Sequence, residues 1–157
     1  MNQIEIPLFP LRTVLFPEGL LPLRIFERRY LDMVRDCARD DSAFGVCLTH
    51  DGEGAATPGG AAQTGTLARI IDFEQGDDGL LNLLCEGEQR FRVESIVVEH
   101  DELLRADVVT MPDPASITLP EDLEWTARLL DELLERIGEP FDRLRTTPPS
   151  ADHVAHR

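Results

Sequence analysis

The spacing of apolar and polar residues along the first quarter of the chain predicts two strands followed by a helix. Ile4–Phe9 and Leu20–Phe26 are apolar runs interrupted by prolines, and the sequence PEG at Pro17–Gly19 between them is typical of a turn. In Glu27–Arg39 the apolar residues recur every three or four positions, which indicates a helix with one buried face. The residues of that face are Tyr30, Met33, Val34, Cys37 and Ala38.

The middle of the chain predicts a series of strands. Ala43–Thr49 is an apolar strand, and Asp51–Thr64 is rich in Gly, Ala and Thr, which is typical of a flexible loop. DDG at Asp77–Gly79 predicts a hairpin turn, and the unbroken apolar run Ile96–Val98 predicts a bulge or burial on both faces. The strands that follow the loop are predicted at Thr66–Glu74, Leu80–Glu86, Phe91–Glu99 and Leu104–Met111.

These later strands lie too close together in sequence for helical crossovers between them. They therefore favour a small, partly open β-barrel with one embedded helix over a doubly wound α/β sheet. The predicted fold class is α+β, mainly β, and it is completed by a helix after the barrel.

The last part of the chain predicts a separate helix. Thr118–Glu121 is a helix start with a capping box, and Gly138 is a stop. We expect a β domain at residues 1–115 and a helical extension at residues 116–157. Beyond Pro149 the tail offers only Val154 as a large apolar side chain, so we expect the sequence to stop inside a helical region. The apolar stripe of the helix comprises Leu123, Ala127, Leu130, Leu133, Leu134 and Ile137.

Charge and composition exclude several classes of function for these 157 residues. The net charge is -15, and the chain lacks the basic footprint of a nucleic-acid-binding protein. All fifteen basic residues are arginine, so the chain has no lysine for a phosphate-binding Walker A loop, a Ser-Lys dyad or a Schiff base. With no apolar run of about 18 residues and no secretory signal, we expect a cytoplasmic protein without a membrane partner.

The side chains that usually carry chemistry do not form a recognisable motif. The cysteines Cys37, Cys47 and Cys85 are expected to be buried thiols rather than a disulfide framework. His153 and His156 have a spacing that suits a metal ion, but no further ligand is close in sequence. None of the four serines lies in a nucleophile elbow. We therefore expect no catalytic residue, no metal and no cofactor.

The opening of the chain resembles a known family. PLFPLRTVLFPEGLLPLRIFERRY at Pro7–Tyr30 is similar to the start of the amino-terminal domain of Lon proteases. Matching blocks follow in order: FGVCL at Phe44–Leu48, GTLARI at Gly65–Ile70 and DGLLNLLCEGEQRFRV at Asp78–Val93. The resemblance implies a PUA-like β-barrel followed by helices. It also implies a domain that recognises protein substrates and helps assembly, here in a free-standing form without the ATPase and peptidase modules.

Two interpretations of the proline-rich opening follow from its many apolar side chains. In the first, most of them fill the barrel while proline protects the strand edges. In the second, Val14, Leu15, Phe16 and Leu20 around the turn form an exposed patch that binds unfolded or extended protein segments. The core candidates of the first interpretation are Leu8, Phe9, Leu11, Leu21, Leu23, Ile25 and Phe26.

Two functional interpretations stay open. The first is a non-catalytic module that binds protein or peptide segments, with self-association as a further kind of partner. The second is a small-ligand-binding protein or a carboxylate-dependent hydrolase that uses the mouth of the barrel.

Overall fold

The computed structural model describes residues 2–49, 60–113, 115 and 117–144, and this part of the chain is mainly β. Its two α-helices are α1 at Arg28–Asp40 and α2 at Glu124–Ile137, and short 3-10 turns occupy Glu121–Leu123 and Phe141–Leu144. The strands are β1 at Gln3–Leu11, β2 at Leu20–Ile25, β3 at Phe44–Thr49, β4 at Ala61–Gln75, β5 at Leu81–Val98 and β6 at Leu104–Thr110.

Five of these strands form a ring. β1 pairs in parallel with β3 and in antiparallel with β6, and β4 lies between β3 and β5. The pairing of β5 with β6 closes the ring, whereas β2 pairs only with β5. The predicted mainly-β architecture is confirmed. The ring is not a regular barrel, because β2 and the adjoining ends of β4 and β5 extend beyond it. We call β2, Ile70–Gln75 and Leu81–Glu86 the three-stranded extension.

The two strands predicted at Leu80–Glu86 and Phe91–Glu99 are in fact one strand, β5. A polar stretch separates two apolar runs, and the sequence pattern therefore predicted two strands. In the structure β4 accompanies both halves, so the backbone stays extended through the polar stretch. The first half of β5 also pairs with β2, and the second half also pairs with β6.

Two further predictions for the strands are corrected. β4 begins at Ala61, so the end of the predicted loop belongs to a strand, and residues 51–59 lie outside the described part of the chain. Val97 and Val98 are exposed, so Ile96–Val98 is not buried on both faces. The register irregularity of this strand lies slightly earlier, between Val93 and Ser95.

The core has two parts, and most of the opening stretch lies in them. One part packs α1 against the sheet, with the ring of Phe9 4.1 Å from that of Tyr30. The other fills the ring of strands around Leu8 and Phe91. Phe26 is an exception to the predicted core because its side chain is 68% exposed. Of the remaining candidates, Leu8, Phe9 and Ile25 are buried, and Leu11, Leu21 and Leu23 are partly buried.

The C-terminal helix α2 ends at Gly138, as predicted. No side chain caps the helix start, so the predicted capping box does not form; proline at position 120 begins the preceding 3-10 turn instead. Leu134 is buried, near the 3-10 turn Phe141–Leu144. His153, His156 and the rest of the predicted tail lie outside the described residues. Within the described ranges, no helix is long and apolar enough to cross a membrane.

The cysteines are buried free thiols, as the sequence predicts. Burial raises the pKa of Cys47 to about 12, and burial together with the neighbouring Cys37 raises the pKa of Cys85 to about 12. Thiolate is the reactive form of cysteine, so both side chains are inert in the folded protein.

We predict that iodoacetamide modifies Cys47 and Cys85 at pH 8 more than about tenfold more slowly in the folded protein than in denaturant. The same pKa values predict a loss of stability in alkali. The unfolded chain releases its thiol protons near pH 9 and the folded chain only near 12, so the free energy of unfolding falls across that interval. Mass spectrometry of the labelled chain and denaturant titrations at each pH measure the two effects. Equal labelling rates in the folded and unfolded states would contradict the burial of these thiols.

Candidate binding surface

The turn between β1 and β2 is fastened to the middle of the sheet by its backbone. Glu18 donates its N–H to the carbonyl of Gly87 at 2.7 Å, and Gly87 donates its N–H to the carbonyl of Gly19 at 2.9 Å. The buried hydroxyl of Thr66 donates to the carbonyl of Leu15 at 2.6 Å. These bonds give an irregular loop a fixed position on β4 and β5.

The structure divides the four residues predicted to form a patch. Val14 is 55% exposed, Phe16 is 42% exposed and Leu20 is half-buried. Leu15 is 5% exposed and belongs to the core, so its place in the predicted patch is wrong. The reason is local: Gly87 has no side chain, and Leu15 Cγ occupies the space beside it, 3.1 Å from where a Cβ would lie. We define the turn patch as Val14, Phe16 and Leu20.

The apolar surface continues from the turn patch onto the outer face of the three-stranded extension. Directly opposed residues on paired strands share a face of the sheet. Pro22 opposes Leu84 on the outer face, whereas Leu23 opposes Leu83 on the buried face. Pro22 is exposed and Leu84 half-buried. The apolar pattern alone does not single out these two residues, but the alternation of side chains along a strand places Pro22 and Leu84 on the face opposite to Leu23 and Leu83.

A cleft of about 710 Å³ lies where the ends of β1 and β2 meet the start of α1. Phe9, Phe26 and Tyr30 line it, together with arginines. The guanidinium of Arg29 lies 4.8 Å from the centre of the Tyr30 ring and donates to the carbonyl of Glu102 at 2.9 Å. This contact joins α1 to the loop before β6. The cleft therefore has a rigid, partly apolar wall.

Two carboxylates near α1, Glu27 and Asp40, do not resemble a catalytic pair. In the main cleft Glu27 is bonded to Arg29 at 2.9 Å. On the far side of α1, the hydrogen bond from Arg39 lowers the pKa of Asp40, which is the opposite of the shift that a general acid needs. Among the residues that the structure describes, no group of three or more His, Cys, Asp or Glu side chains is placed to hold a metal ion.

A family model described as "ATP-dependent protease La (LON) substrate-binding domain" matches residues 5–153. The chain belongs to the Lon substrate-binding domain family. A relative named Lon protease 2 from Myxococcus xanthus is 34% identical over 159 aligned positions, which cover 96% of this chain and 19% of that protein. The chain thus spans about a fifth of the length of the curated Lon proteases from Myxococcus xanthus and Anaeromyxobacter dehalogenans that it matches.

Solved structures agree with this assignment. A Lon N-terminal domain protein from Xanthomonas campestris superposes with a TM-score of 0.70 at 41% identity, over 84% of this chain and 74% of that one. The N-terminal domain of Lon protease from the Mycobacterium avium complex shares the fold, with a TM-score of 0.56 at 14% identity over 85% of this chain and 67% of that one. The family predicted from the opening motif is confirmed.

We predict that Gly87→Ala destabilises this Lon-type domain by about 1–3 kcal/mol, because an added Cβ would lie 2.1 Å from the carbonyl oxygen of Phe16. The turn must move, and its hydrogen bonds to β5 must lengthen. Glu86→Ala is the matched control, since Glu86 is exposed on the adjacent position of the same strand and its loss should cost less than about 0.5 kcal/mol. Denaturant unfolding measures both variants. A cost no larger for Gly87→Ala than for the control would contradict the anchoring of the turn.

Proposed function

We propose that this Lon-type domain binds extended, apolar segments of other proteins weakly and performs no chemistry on them. The observation that carries the proposal is the turn patch: Val14 and Phe16 stay exposed although the backbone beside them is firmly bonded to Gly87. Membership of a substrate-binding family supports the same function. Exposed apolar side chains on a fixed backbone are typical of an interaction site.

The size of the patch sets the expected affinity. Complete burial of a large apolar side chain contributes about 1.5–3 kcal/mol, and association and ordering of an unfolded segment cost several kcal/mol. Two exposed side chains with Pro22 and Leu84 beside them therefore support dissociation constants between about 1 mM and 1 μM. Such weak binding suits a domain that samples many different segments.

Charge narrows the class of partner. A net charge of -15 repels the phosphate backbone of nucleic acids and attracts segments that combine apolar with basic residues. We propose protein segments in the cytoplasm as the partners. The lack of lysine in this chain supports a role without nucleotide or peptidase chemistry of its own. Self-association and small-ligand binding in the cleft lined by Phe26 are the competing functions. The following experiment tests whether protein segments bind at the turn patch or in that cleft.

We predict that Phe16→Asp weakens binding of an unfolded protein by at least about tenfold, because a charge replaces the apolar contact. Reduced, carboxamidomethylated lysozyme is a suitable probe, being unfolded and basic, and titration of the labelled domain gives the dissociation constant. The melting temperature should change by only a few degrees, since Phe16 is 42% exposed. In contrast, Leu15→Asp should prevent folding, because it would place a charge in the core.

Val97→Asp is the matched control for surface charge, since Val97 is 64% exposed on the other end of β5. It should leave the dissociation constant within about twofold of the unmodified domain. Equal loss in both variants would indicate a general effect of charge. If only Phe26→Asp weakens binding of the unfolded protein, the binding site is the cleft. If Phe16→Asp binds as tightly as the unmodified domain, the turn patch is not the binding site.

A further inference from the structure

The second half of β4 has a partner strand on one side only. β3 pairs with β4 as far as Ala68, and β5 accompanies β4 on the other side to Gln75. In the part of the chain that the structure describes, no strand pairs with β4 beyond Ala68 on the side away from β5. A register shift between Ile70 and Asp72 marks the start of this free edge. Free strand edges are templates for the addition of another strand.

The hairpin register determines which backbone groups the edge presents. Gly76 donates its N–H to the carbonyl of Leu80 at 2.8 Å, which makes this the first bonded pair next to the turn. In an antiparallel pair the bonded positions alternate, so Glu74 bonds to β5 whereas Phe73 and Gln75 direct their backbone groups away from it. In keeping with this, the N–H of Phe73 donates to Asp72 Oδ1 at 2.9 Å. A side chain thus satisfies a donor that in a ladder would face a neighbouring strand.

The side chains along this edge indicate the chemistry of a partner strand. Leu23, Leu83 and Phe73 lie in one row across the buried face of the extension. Leu83 is buried, but Phe73, at the open end of the row, is 69% exposed. An apolar side chain on an added strand would cover it. On the opposite face Asp72 and Glu74 are both exposed, so neighbouring positions of the added strand should be basic.

The other outer edge of the extension is protected against strand addition. In the alternating register, the backbone N–H and carbonyl of Leu84 bond to β4 and do not point towards β2. Pro22 of β2 opposes Leu84, so the backbone of Pro22 faces away from β5. Proline has no N–H to donate, and it interrupts this edge at its centre. β4 carries no proline between Ala61 and Gln75. Of the two edges, the one on β4 is therefore the suitable binding site.

We propose that the free edge of β4 at Asp72–Gln75 binds, as an added strand, a protein segment whose side chains alternate between apolar and basic. This proposal rests on the proposed function and names one of its binding sites. A second copy of the chain is a poorer occupant, because two such edges paired with each other would bring Asp72 and Glu74 against the same acidic residues. The basic, apolar segment matches both faces of the edge at once.

A blocked six-residue peptide of alternating arginine and valine tests the proposal. Its binding to the domain, followed by fluorescence anisotropy, should weaken at least tenfold in Phe73→Asp and in Glu74→Arg. Val97→Asp is the matched control, because Val97 is 64% exposed against 69% for Phe73, and it should bind within twofold of the unmodified domain. The same peptide methylated on alternate backbone nitrogens keeps its charges but loses donors, and it should bind at least tenfold more weakly.

The possible results distinguish binding at the free edge of β4 from the more general proposal that the domain binds protein segments. Equal binding of the methylated and unmethylated peptides would overturn the proposal by showing that charge alone attracts them. If Phe16→Asp weakens binding of the unfolded protein but Phe73→Asp changes neither ligand, the edge is wrong and the proposed function stands. If the unmodified domain binds neither ligand, both fail. A dimer that dissociates on Phe73→Asp would make a second copy the occupant and also overturn the proposal.

Discussion

Gly87 is the residue at which β5 exchanges one neighbouring strand for another. Before it, the last residue paired with β2 is Glu86; after it, the first residue paired with β6 is Phe91. Between these points the turn that precedes β2 bonds to both backbone groups of Gly87. No side chain fits there, because the carbonyl of Phe16 occupies the position that a Cβ would take. One small residue thus lets a single strand belong to the ring and to the extension.

The extension is where the fold departs from a closed ring, and the two proposed binding sites lie on it and on the turn beside it. The turn patch lies beside β2, and the free edge lies on β4, with β5 between them. Each site is exposed because the strands that close the ring do not cover it. Among the described residues, no group of three or more His, Cys, Asp or Glu side chains is placed to hold a metal ion, and the three cysteines are buried. The proposed binding of protein segments agrees with where the exposed apolar groups are found.

The sequence predicted the fold wherever periodicity or a motif was strong. Four of the five residues predicted on the face of α1 are buried, Ala38 being exposed, and the turn at Asp77–Gly79 and the end of α2 at Gly138 follow local rules of glycine use. Local rules did not predict that β5 is one continuous strand, because its polar stretch stays extended only through pairing with β4. The burial of Leu15 depends on the missing side chain of Gly87, seventy-two positions away. Likewise, the exposure of Phe73 follows from its place at the end of a cross-strand row, which a one-dimensional pattern does not contain.

Amide hydrogen exchange of the domain, with and without saturating unfolded protein, tests most directly whether the extension is the binding region. We predict added protection at the amides of residues 14–16 and 18–20 and at Phe73 and Gln75, because these groups become covered or bonded to the ligand. Exchange in α2 should stay unchanged. Protection confined to α2 or to the cleft lined by Phe26, with no change on the extension or the turn beside it at saturating ligand, would show that the protein segments bind elsewhere.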